Sequence, residues 1–364
     1  MRLTQRVLGL AVTVSALMCG DVEAQHVAPT PPGERWWEIE VHGGGLVSTT
    51  PESGTFALPA QGPLVPPSFN RPVSSWYFGD GSFQLNQFPN VRLSGILTPL
   101  DGTLQSRMAT RKSGGVFGVR LARRLTSRVS AELTVDYAVG PLSYSSDATS
   151  AVEAARASFI TAFNGLFTAP FITSRTVNST ATVADDEGAQ ILTTGAVRFE
   201  ILKARRWAPY VVAGLGRLSI SGDSPRVMLT GTYQTVFTPP GLPIPSSTMS
   251  QTDAVTMTST MESGAVWVLG GGVRLSMSDR WGIRIDVRDH MHGNTLTTRL
   301  SASPVLPPSN FTYITSTLNN PPLIFSGSSV IPSTLSVPLT DVVTFSGTGV
   351  SHQVGLTTGL AWRF

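Results

Sequence analysis

Eight stretches of this chain alternate apolar residues with small or polar ones, and the gaps between them alternate short with long. A repeat of two puts successive side chains on opposite faces, so each stretch reads as a β-strand with one apolar face. The clearest is Arg128–Gly140, where Val129, Ala131, Leu133, Val135, Tyr137 and Val139 alternate with Ser130, Glu132, Thr134, Asp136 and Ala138. The others, with their apolar faces, begin with Arg35–Thr49 (Trp37, Ile39, Val41, Val47), Gly114–Arg124 (Phe117, Val119, Leu121) and Ala189–Leu202 (Val197, Phe199, Ile201). Trp207–Ile220 (Tyr210, Val212, Leu218, Ile220), Gly264–Met277 (Trp267, Leu269, Val273, Leu275) and Arg280–His292 (Trp281, Ile283, Ile285, Val287) follow. The last is Val354–Phe364, with Val354, Leu356, Leu360, Trp362 and Phe364 on one face.

Short connections fall around Leu125-Thr126-Ser127, Lys203–Arg206 and Ser278-Asp279, whereas the other gaps are long: about 50–112, 141–187, 221–262 and 295–349. A strand of about 9–11 tilted residues crosses a bilayer, and each stretch is long enough. Short turns on one side and long loops on the other are the pattern of a transmembrane β-barrel. The sequence therefore predicts an all-β fold, an eight-stranded antiparallel meander with long extracellular loops and both ends on the periplasmic side. Composition agrees: 35 of 364 residues are Gly and only 13% are charged, against about 25% in soluble domains. No later run reaches about 18 consecutive apolar residues, which leaves strands as the spanning element. The net charge of +3 is scattered, so no nucleic-acid surface is predicted.

Residues 1–24 read as a secretory signal: Arg2 and Arg6 precede the apolar run Val7–Leu17, and Val22-Glu23-Ala24 offers a cleavage site. Residues 25–34 form a short N-terminal segment, and 35–364 the barrel. The single cysteine, Cys19, lies within the signal, so disulfides and thiol chemistry are not expected afterwards. The terminal strand ending in Phe resembles the closing strand of bacterial outer-membrane β-barrels. The resemblance is to the small families exemplified by the OmpA transmembrane domain and OmpX. It implies that Leu360, Trp362 and Phe364 belong to the signal read by the barrel-assembly machinery, and that the protein resides in the cell outer membrane as a monomer, in contact with lipid and lipopolysaccharide.

If the apolar faces meet lipid, Glu38, Glu40, Arg120, Glu132, Asp136, Arg198, Glu200, Arg274, Arg284, Asp286 and Arg288 point inward, a near balance of acids and arginines. Eight strands give an interior just wide enough for side chains to fill. A plugged barrel is therefore expected, held by Arg–carboxylate pairs. Trp37, Trp207, Trp281 and Trp362 fall near the periplasmic strand ends, where the ring sits half wet at the membrane interface. Trp36 faces the other way and is placed at the periplasmic mouth.

Within the loops, Asp147–Phe167 reads as a helix capped by Asp147, with Val152, Ala155, Phe159, Phe163 and Leu166 on one face. Val227–Phe237 and Met249–Met261 read as strands, either a hairpin extending the wall above the membrane or two more spanning strands, which would make ten. Phe56, Phe69, Trp76, Tyr77, Phe78, Phe83 and Phe88 suggest a packed cap over the mouth.

Chemical signatures are sparse. There is no Walker loop, no HExxH and no strand–GxGxxG–helix unit, so no cofactor is assigned. Gly43–Gly45 and Gly270–Gly272 read as close packing or strand curvature. His290 and His292 share a face, but no third ligand accompanies them and no metal is assigned. Ser351-His352 sits where a rim lipid hydrolase would place its nucleophile and base, without a matching acid. The expected role is non-enzymatic, in envelope structure or in surface recognition or adhesion through the loops, for a ligand the residues do not name. A narrow gated channel for small or hydrophobic solutes is the alternative.

Overall fold

The fold is taken from a computed structural model that describes residues 37–49, 72–73, 75–78, 82, 86, 94–100, 109–164, 172–185, 188–202, 206–222, 224–238, 246–303, 324–325 and 342–364. These residues all belong to one unit, Trp36–Phe364. Residues 1–24 (read as a signal), Trp36, Phe56, Phe69, Phe83, Phe88, Lys203–Arg205 and the expected helix residues after 164 lie outside the described residues.

The strands are β1 (Trp37–Ser48), β2 (Pro72–Val73), β3 (Ala109–Arg111), β4 (Gly114–Arg124), β5 (Val129–Val139) and β6 (Leu142–Tyr144). After the helix α1 (Ser146–Phe163) come β7 (Ile172–Ala184), β8 (Ala189–Glu200), β9 (Trp207–Ser221), β10 (Arg226–Phe237) and β11 (Ser247–Met261). The chain continues through β12 (Gly264–Ser276), β13 (Trp281–Ala302), β14 (Ile324–Phe325) and β15 (Val342–Arg363). Eight of them close into an antiparallel ring in the order β1-β4-β5-β8-β9-β12-β13-β15 and back to β1. The last residue takes part in the closure: Trp37 N–H donates to Phe364 O at 3.1 Å, and Phe364 N–H donates to Trp37 O at 3.0 Å.

Alternation sets which way each residue points. Ile39, Val41, Leu121, Leu133, Val135, Val197, Ile285, Val287 and Leu356 are exposed on the outside, while the neighbours between them are buried within. An apolar belt of this extent around a ring of polar interiors fits lipid as its solvent. In β9 the outward face is Trp207, Val211 and Leu215; Tyr210, Val212 and Leu218 face inward. This reverses the face expected from sequence, because β9 is apolar on both sides and only the register with β8 and β12 decides between them. The short turns are closed by hydroxyls: Thr126 Oγ1 accepts from Val129 N–H at 3.0 Å, and Ser278 Oγ accepts from Trp281 N–H at 3.0 Å.

The ring does not end the sheet. Beyond Gly293, β13 and β15 continue side by side, and β13's other edge passes from β12 to β11. β10 pairs with β11 and β7 with β10, so a five-stranded wall, β15-β13-β11-β10-β7, rises from one side of the loop end. The candidate strands at 227–237 and 249–261 thus form a hairpin of this extension and not a ninth and tenth spanning strand. β7 has no counterpart in the sequence reading: its faces are Ser/Thr/Asn-rich, and the edge of β10 gives it a partner.

α1 packs against β7 and β10 over an aromatic core. Phe159 and Phe163 stack with centroids 4.4 Å apart, and Trp76 lies 4.5 Å from Phe163. The helix is capped by Ser145, whose hydroxyl accepts from Ala148 N–H at 3.1 Å, and not by Asp147, which sits in the first turn where its charge faces the positive helix end.

Candidate functional site

The barrel interior is where the chemistry concentrates. In the ring, β5 and β13 stand opposite each other, and so do β1 and β9. Arg284 on β13 reaches across the lumen to Glu132 on β5, Nη2 to Oε1 at 3.0 Å, and its Nη1 meets Glu40 Oε2 at 2.9 Å and Glu38 Oε1 at 3.4 Å. Arg288 makes a second crossing to Glu132 at 2.9 Å. Arg120 on β4 joins Glu40 at 2.8 Å and Asp286 at 2.7 Å. Arg198 on β8 joins Glu132 at 2.9 Å and Glu38 at 3.2 Å. Arg274 bridges to Glu200 at 3.0 Å. Asp136 is held instead by His42, Nε2 to Oδ1 at 2.6 Å.

All eleven charged residues picked out from the sequence face the lumen, and all but Arg274 are buried. Others in the same network were missed. Tyr210 lies under Arg284, 4.8 Å from guanidinium carbon to ring centroid, and its hydroxyl donates to Asp286. Arg363, one residue from the chain end, bonds Glu38 at 3.0 Å. The inward parity of Arg363 was readable from the terminal alternation; that of Tyr210 was not. Glycines make room for the long side chains: a Cβ at Gly359 would collide with the Glu40 carboxylate, and one at Gly118 with Asp136.

Above the ion pairs, toward the loops, the lining turns apolar at Leu46, Val116, Ala138, Leu192, Leu218, Val266 and Val268. His290 and His292 reach the same region from β13, both buried. His290 Nδ1 lies 3.4 Å from Gln353 O, while neither ring nitrogen of His292 has a hydrogen-bond partner among the described residues. Ser351 is the register partner of His292, also buried and with its hydroxyl unpaired among the described residues. His352, by contrast, points outward and pairs with Asp289 at 2.8 Å. Ser351 and His352 therefore stand on opposite sides of the wall and do not form a nucleophile–base pair, although the acid that the sequence did not reveal for His352 is present.

Trp37, Trp207 and Trp362 are exposed on the outer face at the turn end, and Trp281 lies beside Trp362 with centroids 6.5 Å apart. Trp362 stacks on Phe364 at 4.9 Å, so the terminal aromatics form part of the same band.

No protein-family model and no curated relative matches the chain. Among solved structures it is similar to the outer membrane protein AlkL, solved in DMPC lipid bilayers, at 10% identity and a TM-score of 0.36, over 94% of this chain and 97% of that one. It is also similar to the outer membrane protease OmpT from Escherichia coli at 6% identity and a TM-score of 0.32, over 93% and 99% of the two chains. The Pseudomonas putida toluene transporter TodX aligns at 7% identity and a TM-score of 0.20, over 91% and 90%. Likenesses at this level carry no argument about function; the barrel stands on the chain's own strand pairing.

Proposed function

We propose that this chain is an outer-membrane β-barrel of a Gram-negative-type envelope, of the small OmpA/OmpX-like kind. In this reading its lumen is closed by Arg–carboxylate pairs, and it acts non-enzymatically in envelope structure or in surface recognition through its loop end. The observation that carries this reading is the set of ion pairs spanning the lumen, above all Arg284 and Arg288 to Glu132 on the opposite wall. A barrel of about eight strands has little more than side-chain room inside. The apolar outer belt and the tryptophans at the turn end support lipid on all sides. Lipopolysaccharide at the outer leaflet and the barrel-assembly machinery during insertion are the partners this location implies. The aromatic cap around α1 gives the loop end a packed surface for a ligand to meet.

The apolar lining above the ion pairs favours a second reading, a narrow gated path for small apolar solutes that enters from the loop end. Single-channel recording of the refolded protein in a planar bilayer separates the two. No steps above the lipid background are expected. Stable, reproducible openings would overturn the closed-lumen reading in favour of the channel.

A further inference from the structure

The turn end of the lumen opens into a cavity of about 240 Å³, lined by Arg124, Arg198, Arg274 and Arg363 with Glu38 and Ser130 among them. Two carboxylates serve these four arginines. Glu38 takes Arg198 at 3.2 Å and Arg363 at 3.0 Å; Glu200 takes Arg274 at 3.0 Å and Arg124 at 3.7 Å. Asp279 at the turn also borders the cavity. Arg198 reaches Glu132 as well, but Glu132 is shared with Arg284 and Arg288 deeper in. There the balance is reversed: Arg120, Arg284 and Arg288 face Glu40, Glu132, Asp136 and Asp286. Among the described residues four arginines thus face Glu38, Glu200 and Asp279 around the cavity, an excess of one positive charge.

The donors are also in excess. Among the described residues, Nε of Arg198, Nε of Arg274 and Nη2 of Arg363 are buried without a hydrogen-bond acceptor, and Arg198 as a whole is 3% exposed. A buried guanidinium N–H without an acceptor is unfavourable, and a small turn of these side chains toward the cavity they line would let an anion there supply one. The arginines come from four strands spaced around the mouth, β4, β8, β12 and β15, and so do not lie in one plane. A tetrahedral oxyanion presents acceptors in several directions, whereas a planar carboxylate presents them in one. Arginine forks suit phosphate oxygens in particular.

We propose that this cavity is a binding site for a phosphate-type oxyanion, held by Arg198, Arg274 and Arg363. Two sources share that chemistry: free phosphate or a phosphomonoester, and the headgroup of an anionic phospholipid lying against the turn end. The site does not depend on whether the barrel conducts, and its test is separate from the bilayer recording.

The test uses the full-length protein refolded in a neutral detergent. Calorimetric titration with inorganic phosphate is compared with chloride at equal ionic strength. Saturable binding of phosphate only is expected, weakened at least tenfold by Arg274→Gln with Arg363→Gln and unchanged by Arg123→Gln with Arg280→Gln at the turns outside the cavity. If the first double variant does not fold, Arg363→Gln alone serves, and saturation of the unaltered protein is read independently by phosphorus NMR line broadening. A second arm reconstitutes the protein in phosphatidylcholine vesicles with and without phosphatidylglycerol and reads its thermal midpoint. Stabilisation by phosphatidylglycerol that the cavity variant loses and the turn variant keeps identifies the lipid as source. Binding of free phosphate without that preference identifies the soluble oxyanion. Heat and stabilisation matched by chloride, together with no lipid preference, would overturn the proposal.

Discussion

Arg284 shows what a single inward residue does here. It is fully buried and contacts carboxylates of Glu38, Glu40 and Glu132 at once. Removing one partner of such a cluster leaves uncompensated buried charge, which costs about 3–5 kcal/mol. Arg284→Met is expected to lower the thermal unfolding midpoint of the micellar barrel, followed by heat-modifiable gel mobility, and adding Glu132→Gln is expected to restore part of the loss. Asp253 is a counterpart outside the spanning region. It is fully buried in β11 and accepts from Ser75 Oγ at 2.6 Å and from Trp76 N–H at 2.7 Å. Burial outweighs those two bonds and pushes its carboxyl up to about 6. A raised carboxyl contributes stability that is complete below the unfolded value near 3.8 and is lost as pH rises through 6. The cap, where Asp253 interacts electrostatically with Tyr77 and Tyr77 with Arg156, is therefore expected to exchange amide hydrogens faster at pH 7.5 than at pH 5 after correction for intrinsic rates. Asp253→Asn should flatten that difference; an unchanged slope in the variant would place its origin elsewhere. His292 and Ser351 mark how far residues could be read alone. Their inward direction follows from alternation, but that they face each other on neighbouring strands, with no hydrogen-bond partner among the described residues, is a matter of register.

The spanning strands could be read because each carries its own instruction: alternation specifies two faces without help from any neighbour. Strand β5 is the clearest case. β9 failed for the same reason, since Tyr210, Val212 and Leu218 inside match Trp207, Val211 and Leu215 outside in apolarity. The extension strands depend on something else. β7 follows no apolar period and is a strand because the edge of β10 supplies unpaired N–H and C=O groups; β10 and β11, though Thr-rich, read as strands in the sequence, and only their place beside β13 comes from edge pairing. The helix was legible through its apolar spacing, while its cap slipped by two residues because both Ser145 and Asp147 are good N-cap types. Ser145→Ala is expected to destabilise α1 by about 1 kcal/mol. That should appear as faster proteolysis between 145 and 164, with the barrel's thermal midpoint unmoved; a fall in that midpoint would show that cap and barrel unfold together.

At the scale of the whole molecule the ring and its extension are separable. β12 pairs β13 from Ser276 to Val266, and β11 takes over only from Met261 onward, at Leu296. Replacing 223–262 with a short turn is therefore expected to leave a folded eight-stranded barrel, read by circular dichroism and gel mobility, and to release α1 from its packing against β10. Conductance should stay at background in the same variant, because the ion pairs that cross the lumen belong to the ring and not to the cap. The sequence by itself determined the class of fold, the eight alternating strands of the ring and the inward direction of the eleven charges named from it, because alternation and connection length are local properties; it left open whether two further strands span. Tertiary structure decided which charges meet, which face of β9 turns inward, that 227–237 and 249–261 form a hairpin and not two more spanning strands, and that four arginines gather at one cavity. The physical reason is closure: it sets β5 opposite β13 and gathers the turn ends of distant strands around one mouth, and no local pattern encodes such a long-range juxtaposition.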